Sequence, residues 1–223
     1  MFNDFITYDD IRTFFRRLPG LFRDDYTAIV LVIANIVAVI NLVMRGEPAA
    51  SILVAYWLQM MIIGFWNIAR LIVIARWAAF LYVPIFILMY LSIVNIFGLI
   101  AGMLLDDQMR GTAWHQNFSL WNYAVPAAVF FVSHGYSFYV NFIGGREFEN
   151  TKWDTQIGQP ILRAMPMWLA ALAGAVIGGF LGAASVVVVL FVLPVKLTLD
   201  LLGHFAEHGM LTEPEDALQD SNE

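Results

Sequence analysis

The run YTAIVLVIANIVAVINLVM, residues 26–44, decides the fold because no side chain along its length is charged. A helix needs about 20 mostly apolar residues to cross the hydrocarbon core of a bilayer. Further runs of this kind follow along the chain, and we expect a membrane-spanning helix in each of them: 50–70, 79–104 and 120–143. The sequence therefore predicts an all-α, polytopic transmembrane helical bundle.

The last apolar stretch is about twice as long as one span requires. Small residues interrupt it near its middle, where residues 179–185 read GFLGAAS. We interpret the stretch as two spans, about 164–181 and 185–206, joined by a very short turn; one long tilted helix is the alternative. With the four preceding runs, this gives a six-helix transmembrane domain at 26–208.

The composition agrees with lipid as the main solvent of the chain. Of 223 residues, 60% are hydrophobic and 13% are charged, whereas soluble domains carry about 25% charged residues. The net charge of −6 belongs mostly to the termini and connecting segments, so we expect membrane lipids and no nucleic acid as partners. The chain has no cysteine, which leaves His, Asp and Glu as metal ligands.

The positions of Lys and Arg orient the helices, because cytoplasmic segments of a membrane protein retain positive charge. Arg45 and Arg110 follow the first and third spans, and Lys196 lies inside the last one. The other basic residues all fall on the opposite side: Arg12, Arg16, Arg17, Arg23, Arg70, Arg76, Arg146, Lys152 and Arg163. We therefore expect both termini in the cytoplasm.

Two terminal segments lie outside the spans. Residues 1–25 alternate apolar and basic side chains and lack the basic start and short apolar core of a signal peptide. We expect them to form an amphipathic helix in the membrane interface. Residues 209–223 are acidic and polar, which favours a disordered tail.

Glycines recur at four-residue spacing at the end of the fifth predicted span and in the break after it: Gly174, Gly178 and Gly182. Small residues at this spacing allow a second helix to approach closely. The pattern predicts a packing face for another helix. Whether that helix belongs to the same chain or to a second copy in a homo-oligomer stays open.

Ionisable side chains inside a span are costly, so each should face the bundle interior and have a partner. On the last span they recur at four-residue steps and form one slanted stripe: Lys196, Asp200, His204 and His208. The simplest interpretation pairs Lys196 with Asp200 within the helix and places the two histidines at the membrane interface.

Polar side chains of two other spans reach the same depth on the cytoplasmic side. They are Gln59, Asn67 and Arg70 on the second span, and His134, Ser137 and Asn141 on the fourth. Such residues also join helices by hydrogen bonds without binding any ligand. His134 is the exception that suggests a ligand, since an imidazole can bind a metal ion.

The histidines predict a metal site on the cytoplasmic side. His204 and His208 lie four residues apart, a spacing that binds one ion from a single helical face. If His134 meets them, three imidazoles with Asp200 or water form a site for zinc or another divalent metal, with an open position. Glu207 is then the candidate catalytic base.

Three segments of the second, fourth and sixth spans carry a further signal: YWLQMMIIGFWNIAR (56–70), SHGYSFYVNFIGGRE (133–147) and KLTLDLLGHFAEH (196–208). They resemble a prokaryotic integral membrane family named domain of unknown function 6498. The resemblance covers about residues 26–210 and implies a multi-pass protein of a prokaryotic plasma membrane without an established activity. It also implies a histidine in the fifth span, whereas residues 163–168 read RAMPMW here, which weakens a four-ligand site.

Three classes of function stay open, and so does the question whether the protein is an enzyme. A non-enzymatic role agrees with the lack of a complete catalytic constellation in the sequence. A metal-dependent membrane hydrolase is the second class, because the His-x-x-x-His of the last span resembles the ceramidase and progestin-receptor-like superfamily. The third is a small transporter or a haem-binding redox protein. Haem requires two facing histidines, and conduction requires polar residues at every depth, whereas those available are scattered: Asn35, Asn41, Ser92 and Asn95.

Overall fold

The computed structural model describes residues 12–109, 119–161 and 186–207, apart from positions 13, 17, 19, 21, 24, 48, 49, 155 and 159. These residues form helices and turns and no strand, which confirms the all-α class. The longer helices are, in chain order, α1 (Tyr26–Met44), α2 (Ala50–Ala75), α3 (Ala79–Met109), α4 (Ala124–Ser137) and α5 (Val186–Glu207).

Helical structure covers five of the six runs in which spans are predicted. Helices α2 and α3 each extend five residues beyond the prediction, and the run 120–143 is divided among a 3-10 helix, α4 and a π-helix. The predicted span at 164–181, the break at 179–185 and the glycine face lie outside the described residues, as does the tail at 209–223. The described positions between 12 and 23 are helical, as the amphipathic pattern predicts. Phe14 of this segment is buried against Phe205 of α5.

Helix α1 is bounded by an N-cap residue at its start and by a glycine after its end. Asp25 is its N-cap, and its Oδ1 accepts a hydrogen bond from the backbone nitrogen of Thr27 at 2.8 Å. Gly46 follows the helix with a φ of +69°, a left-handed conformation that suits glycine. At 1.5 Å per residue the helix is about 28 Å long, close to the thickness of a bilayer core, about 30 Å.

Helices α2 and α3 form an antiparallel hairpin. The turn Arg76–Ala78 joins them, and its first residue has a φ of +50°. Gly64 of α2 lies against the ring of Tyr90 in α3, and Trp57 of α2 lies against Gly98 of α3. The higher-numbered residue of α2 thus contacts the lower-numbered residue of α3, so the two helices run antiparallel.

Helix α4 continues as a π-helix over Phe138–Gly144. Turns of this type are rare and occur frequently at functional sites. Asn141 lies within it, and its Nδ2 donates a hydrogen bond to Thr27 Oγ1 of α1 at 2.9 Å. The π-helix therefore lies where α4 meets the start of α1.

The bundle exposes apolar side chains and buries polar ones. Among the exposed apolar residues are Ile33, Ile40, Val43, Phe80, Leu81, Leu88, Ile96, Leu99 and Val132. The buried polar residues include Asp25, Thr27, Asn35, Gln59, Asn67, Ser133, Lys196, Asp200 and His204. Within the part of the chain that the structure describes, two helical stretches are long and apolar enough to cross a membrane, Tyr26–Met44 and Ser51–Met103, and the second contains most of the hairpin. These features support membrane association.

The close contact of α2 and α3 generates a prediction. A Cβ added at Gly64 would lie 2.5 Å from a ring carbon of Tyr90, and this ring is held because its hydroxyl donates to the Met60 carbonyl at 2.8 Å. Gly64→Ala is therefore expected to destabilise the detergent-solubilised protein by about 1–3 kcal/mol, the usual effect of overpacking. Thermal unfolding measures the change.

Gly102→Ala is the matched control on the same hairpin. No atom lies within 4 Å of a Cβ added at Gly102, and alanine favours helix more than glycine does. Gly102→Ala should leave the unfolding temperature unchanged or raise it. Equal losses of stability in the two variants would contradict the contact.

Candidate functional site

The centre of the bundle holds a lysine without exposed surface. Lys196 lies midway along α5, and its relative exposure is 0%. Its Nζ donates hydrogen bonds to Gln59 Oε1 at 2.6 Å and to Asp200 Oδ2 at 2.5 Å. It also donates to Asn35 Oδ1. The three hydrogens of the ammonium group thus meet three oxygens, which come from α1, α2 and α5.

The same amide side chains also bind the carboxylate of Asp200. Its Oδ2 accepts hydrogen bonds from Gln59 Nε2 at 3.2 Å and from Asn35 Nδ2 at 3.4 Å. Each amide directs its oxygen to the ammonium and its nitrogen to the carboxylate, the orientation that satisfies both charges. We call Asn35, Gln59 and Asp200 the oxygen cage.

Two aromatic rings complete the surroundings of the ammonium. Its nitrogen lies 4.4 Å from the ring centroid of Tyr56 and 5.3 Å from that of Phe130. A cation over an aromatic face is stabilised by about 0.5–2 kcal/mol, more when water is excluded. The rings therefore add to the stabilisation of the positive charge by the oxygen cage.

A second polar cluster joins the start of α1 to the end of α5. His204 Nε2 lies 2.7 Å from Asp25 Oδ2 and 3.0 Å from Thr27 Oγ1. The Thr27 hydroxyl lies 2.6 Å from Asp25 Oδ1, and it accepts a hydrogen bond from Asn141 at 2.9 Å. We call Asp25, Thr27, Asn141 and His204 the latch.

The hydrogen bonds of the latch assign the proton on the imidazole. A threonine hydroxyl has a single hydrogen, and the short contact directs it to the carboxylate of Asp25. The contacts of His204 Nε2 with Asp25 and Thr27 then require a hydrogen on that nitrogen. Nε2 of His204 therefore carries a hydrogen in both the neutral and the charged imidazole.

The latch also determines the charge of Asp25. Burial by itself would raise the pKa of this carboxyl, but the hydrogen bonds from His204 and Thr27 and the charge of His204 outweigh it. The pKa is therefore lowered well below its ordinary range. Asp25 stays ionised although its side chain is buried.

The oxygen cage and the latch lie along the same pair of antiparallel helices. Asn35 contacts Lys196, and Thr27, eight residues earlier in α1, contacts His204, eight residues later in α5. At 1.5 Å per residue, the two clusters are about 12 Å apart along the helix axes. Asn35 is the middle residue of α1, so the oxygen cage lies halfway through the bundle.

Gln59 connects a third ionisable group to the oxygen cage. Its Nε2 lies 3.5 Å from His134 Nε2 and 3.2 Å from Asp200 Oδ2. His134 and Asp200, both predicted site residues, therefore lie on two sides of one amide nitrogen. The predicted pairing of Lys196 with Asp200 is also present, at 2.5 Å.

Other residues of the predicted polar stripes lie elsewhere. Asn67 accepts a hydrogen bond from Gln156, in the segment after α4. The Arg70 guanidinium lies 5.2 Å from the ring centroid of Phe142. These residues join α2 to the end of α4 instead of contributing to the oxygen cage.

The predicted metal site is described only in part. Among the residues that the structure describes, no group of three or more His, Cys, Asp or Glu side chains is placed to hold a metal ion. His208 and the side chain of Glu207 lie outside the described part of the chain. The metal site and the catalytic base therefore stay predictions.

The far end of α1 carries a buried acidic side chain. Glu47 has a side-chain exposure of 2%, lies 3.9 Å from the Arg45 guanidinium and accepts a hydrogen bond from Ser51 at 3.3 Å. Burial raises its pKa, and the Ser51 hydrogen bond and the Arg45 charge oppose this. Asn41, with a buried Oδ1, lies between Glu47 and Asn35 along the chain. Polar groups therefore occur at both ends of α1 and at its middle.

Sequence reasoning missed Asp25, Thr27 and Tyr56, and it treated Asn35 as one of several scattered polar residues. Asp25-x-Thr27 directly before an apolar run is an N-cap pattern that would have marked the first two. The contact of Asn35 with Lys196 links residues 161 positions apart, for which the sequence has no local signal.

The family model for a family of unknown function, DUF6498, matches residues 17–217. The chain belongs to DUF6498. Both clusters fall within the matched residues, and the family membership that the three sequence segments indicate is confirmed. No curated protein and no solved structure matches the chain, so the chemistry of this DUF6498 member has to be argued from its own residues.

The interactions of Asp25 should make the stability of the fold fall at acid pH, and Asp25→Asn should reduce this dependence. Because the pKa of Asp25 is lowered in the fold, its ionised form stabilises the protein fully above the ordinary aspartate pKa of about 3.9 and progressively less below it. The stability difference between wild type and Asp25→Asn should therefore shrink from pH 6 to pH 3. Unfolding in detergent at each pH measures it. Asparagine is also a good N-cap, so the variant should retain the start of α1. A stability difference between the two proteins that does not change with pH would contradict the ionised state of Asp25.

Proposed function

We propose that the protein is a multi-pass protein of a prokaryotic plasma membrane, with six spans and both termini in the cytoplasm. The support is the surface of the bundle, where large apolar side chains are exposed along α1, α3 and α4. Soluble monomers seldom expose extended apolar surface. A lipid environment accounts for it and for the polar interior.

The contacts at the two ends of the bundle support the proposed orientation. The latch joins the first residues of α1 to the last turn of α5, two ends that the distribution of basic residues assigns to the cytoplasm. Arg45, which follows α1, donates to Asn122 Oδ1 before α4 at 3.0 Å. The basic residues assign both of those segments to the non-cytoplasmic side. Each of the two contacts therefore joins segments that are assigned to the same side of the membrane.

Single cysteines test this topology, since the chain has none of its own. With six spans, a membrane-impermeant maleimide should label Asn117→Cys in intact cells and should label Asn150→Cys and Ser221→Cys only after permeabilisation. If 164–206 is one tilted helix, Ser221→Cys is labelled in intact cells. Labelling of Asn150→Cys in intact cells would contradict the orientation.

For the activity, we propose that the bundle transports a small monovalent cation. The observation that supports this is the oxygen cage, in which an ammonium group without exposed surface is bound by oxygens from α1, α2 and α5. Ionisable residues at membrane depth are rare and usually belong to ion pathways, relays or ligand sites. A positively charged group is thus already stable at the middle of the bundle.

The surroundings of the oxygen cage suit entry and release. The latch with its ionised Asp25 lies about 12 Å away on one side, and the buried Glu47 lies beyond Asn41 on the other. Pro194 interrupts α5 two residues before Lys196, and a proline inside a helix removes a backbone hydrogen bond and permits bending. Bending of α5 there would move Lys196 relative to the oxygens of Asn35 and Gln59.

Flux through reconstituted liposomes tests the activity. Wild-type protein should move at least one of Na⁺, K⁺ and ammonium down an imposed gradient, faster than protein-free liposomes do. Gln59→Leu removes one oxygen ligand and keeps the Lys196–Asp200 pair, so flux should fall about tenfold, which is the effect of losing about 1.4 kcal/mol of binding.

Lys152→Gln, at an exposed position outside the helices, is the matched control and should retain wild-type flux. Flux of none of the three cations by well-folded wild-type protein would contradict transport. Equal flux in Gln59→Leu and wild type would show that the oxygen cage is not on the path.

A divalent metal site is the second candidate, and the latch supports it. A histidine that binds a metal usually donates its other N–H to a carboxylate, and His204 Nε2 already contacts Asp25 in this way. In a neutral His204, Nδ1 would be the ligand atom, with His208 as a further ligand and Glu207 as the base of a hydrolase. His134 lies beside the oxygen cage, about 12 Å away along the helix axes, and would not reach the same ion. Elemental analysis decides this: stoichiometric metal in wild type that is lost in His204→Ala/His208→Ala supports the site, and trace metal in both contradicts it.

A further inference from the structure

The oxygen cage and two rings provide a complete set of partners for an ammonium group. One carboxylate neutralises the charge of Lys196, two amide oxygens accept its other hydrogen bonds, and two rings lie within 5.3 Å of its nitrogen. Three acceptors match the three N–H donors of a primary ammonium group, and aromatic faces are typical of sites that recognise ammonium ligands. The set of groups is that of a ligand site.

We infer that the oxygen cage is a binding site for primary ammonium ions, and that the Lys196 side chain occupies it as a tethered ligand that a free ammonium or methylammonium ion replaces. The inference rests on the proposed cation transport and names its substrate class.

Charge balance requires that Lys196 give up its proton in the exchange. When ammonia or methylamine takes that proton, an N–H bond of Lys196 breaks and one forms on the entering amine, so Asp200 keeps a single positive partner and Lys196 stays behind as a neutral amine. The amide oxygens of Asn35 and Gln59 likewise keep a donor. A neutral molecule in the same place would leave the carboxylate without its counter-charge.

The ring positions discriminate among cations. Tyr56 and Phe130 present apolar faces within 5.3 Å of the nitrogen, where the methyl group of methylammonium can pack as the Lys196 stem does. Na⁺ has no directional donors and would retain water that these rings exclude. Tetramethylammonium has no N–H donor at all, so it cannot satisfy the three oxygens.

Lys196→Ala supplies the test, because the atoms it removes are three methylene groups and the ammonium. n-Propylammonium has the same groups, so it should bind the variant and raise its unfolding temperature by about 5 °C or more at saturation. Ethylammonium and n-butylammonium should have smaller effects, giving an optimum at three carbons. Wild-type protein, whose site is filled, should respond little at the same concentrations.

The controls separate ammonium recognition from filling of a cavity. n-Propanol has a similar shape without charge, and tetramethylammonium has charge without donors; neither should stabilise Lys196→Ala. In Lys196→Ala/Asp200→Asn, propylammonium should raise the unfolding temperature no more than propanol does. Equal stabilisation by propanol, or no stabilisation by propylammonium in folded Lys196→Ala, would overturn the inference.

A measurement on wild-type protein keeps the inference testable if Lys196→Ala fails to fold. Liposomes containing the wild type should accumulate labelled methylammonium, and ammonium should compete with it while Na⁺ does not. Transport of Na⁺ or K⁺ without methylammonium uptake overturns the inference and leaves cation transport standing. Propylammonium binding without flux of any cation supports the ammonium site and contradicts transport.

Discussion

The structure depends on keeping one ammonium group neutralised where water is absent. An uncompensated charge inside a low-dielectric interior would cost several kcal/mol, so Lys196 needs its full set of partners. Asp200 supplies the counter-charge from the next turn of the same helix. Asn35 and Gln59 supply the remaining oxygens from other helices, so α1, α2 and α5 are held in one arrangement.

The sequence predicts the helices well and their contacts only in part. The runs 26–44, 50–70 and 79–104 are helical, as expected of long, mostly apolar stretches that satisfy their backbone hydrogen bonds internally. The Lys196–Asp200 pair was also predictable, since residues four apart lie on one helical face. Asn35 was not, because its role depends on a lysine 161 positions away. The π-helix at Phe138–Gly144 has no reliable local signal either.

The residues predicted to bind metal take part in two different kinds of interaction. Asp200 Oδ2 accepts hydrogen bonds from Lys196, Gln59 and Asn35, so its chemistry is that of a counter-ion. His204 contacts Asp25 and Thr27 through Nε2, so its interaction is with the N-terminal end of α1. Four-residue spacing places both on one face of α5, but only the neighbouring helices determine what each binds.

The location of Lys196 and Asp200 on the last described helix has a consequence for biogenesis. In the proposed membrane topology, a ribosome delivers α1 and α2 to the membrane long before α5, so Asn35 and Gln59 would first enter the bilayer without their cation. Helix α5 would then insert with its opposite charges already adjacent, which lowers the energy of carrying them into lipid. Nascent chains truncated before α5 would hold buried amides in need of partners, a feature that membrane quality-control proteases and chaperones could recognise.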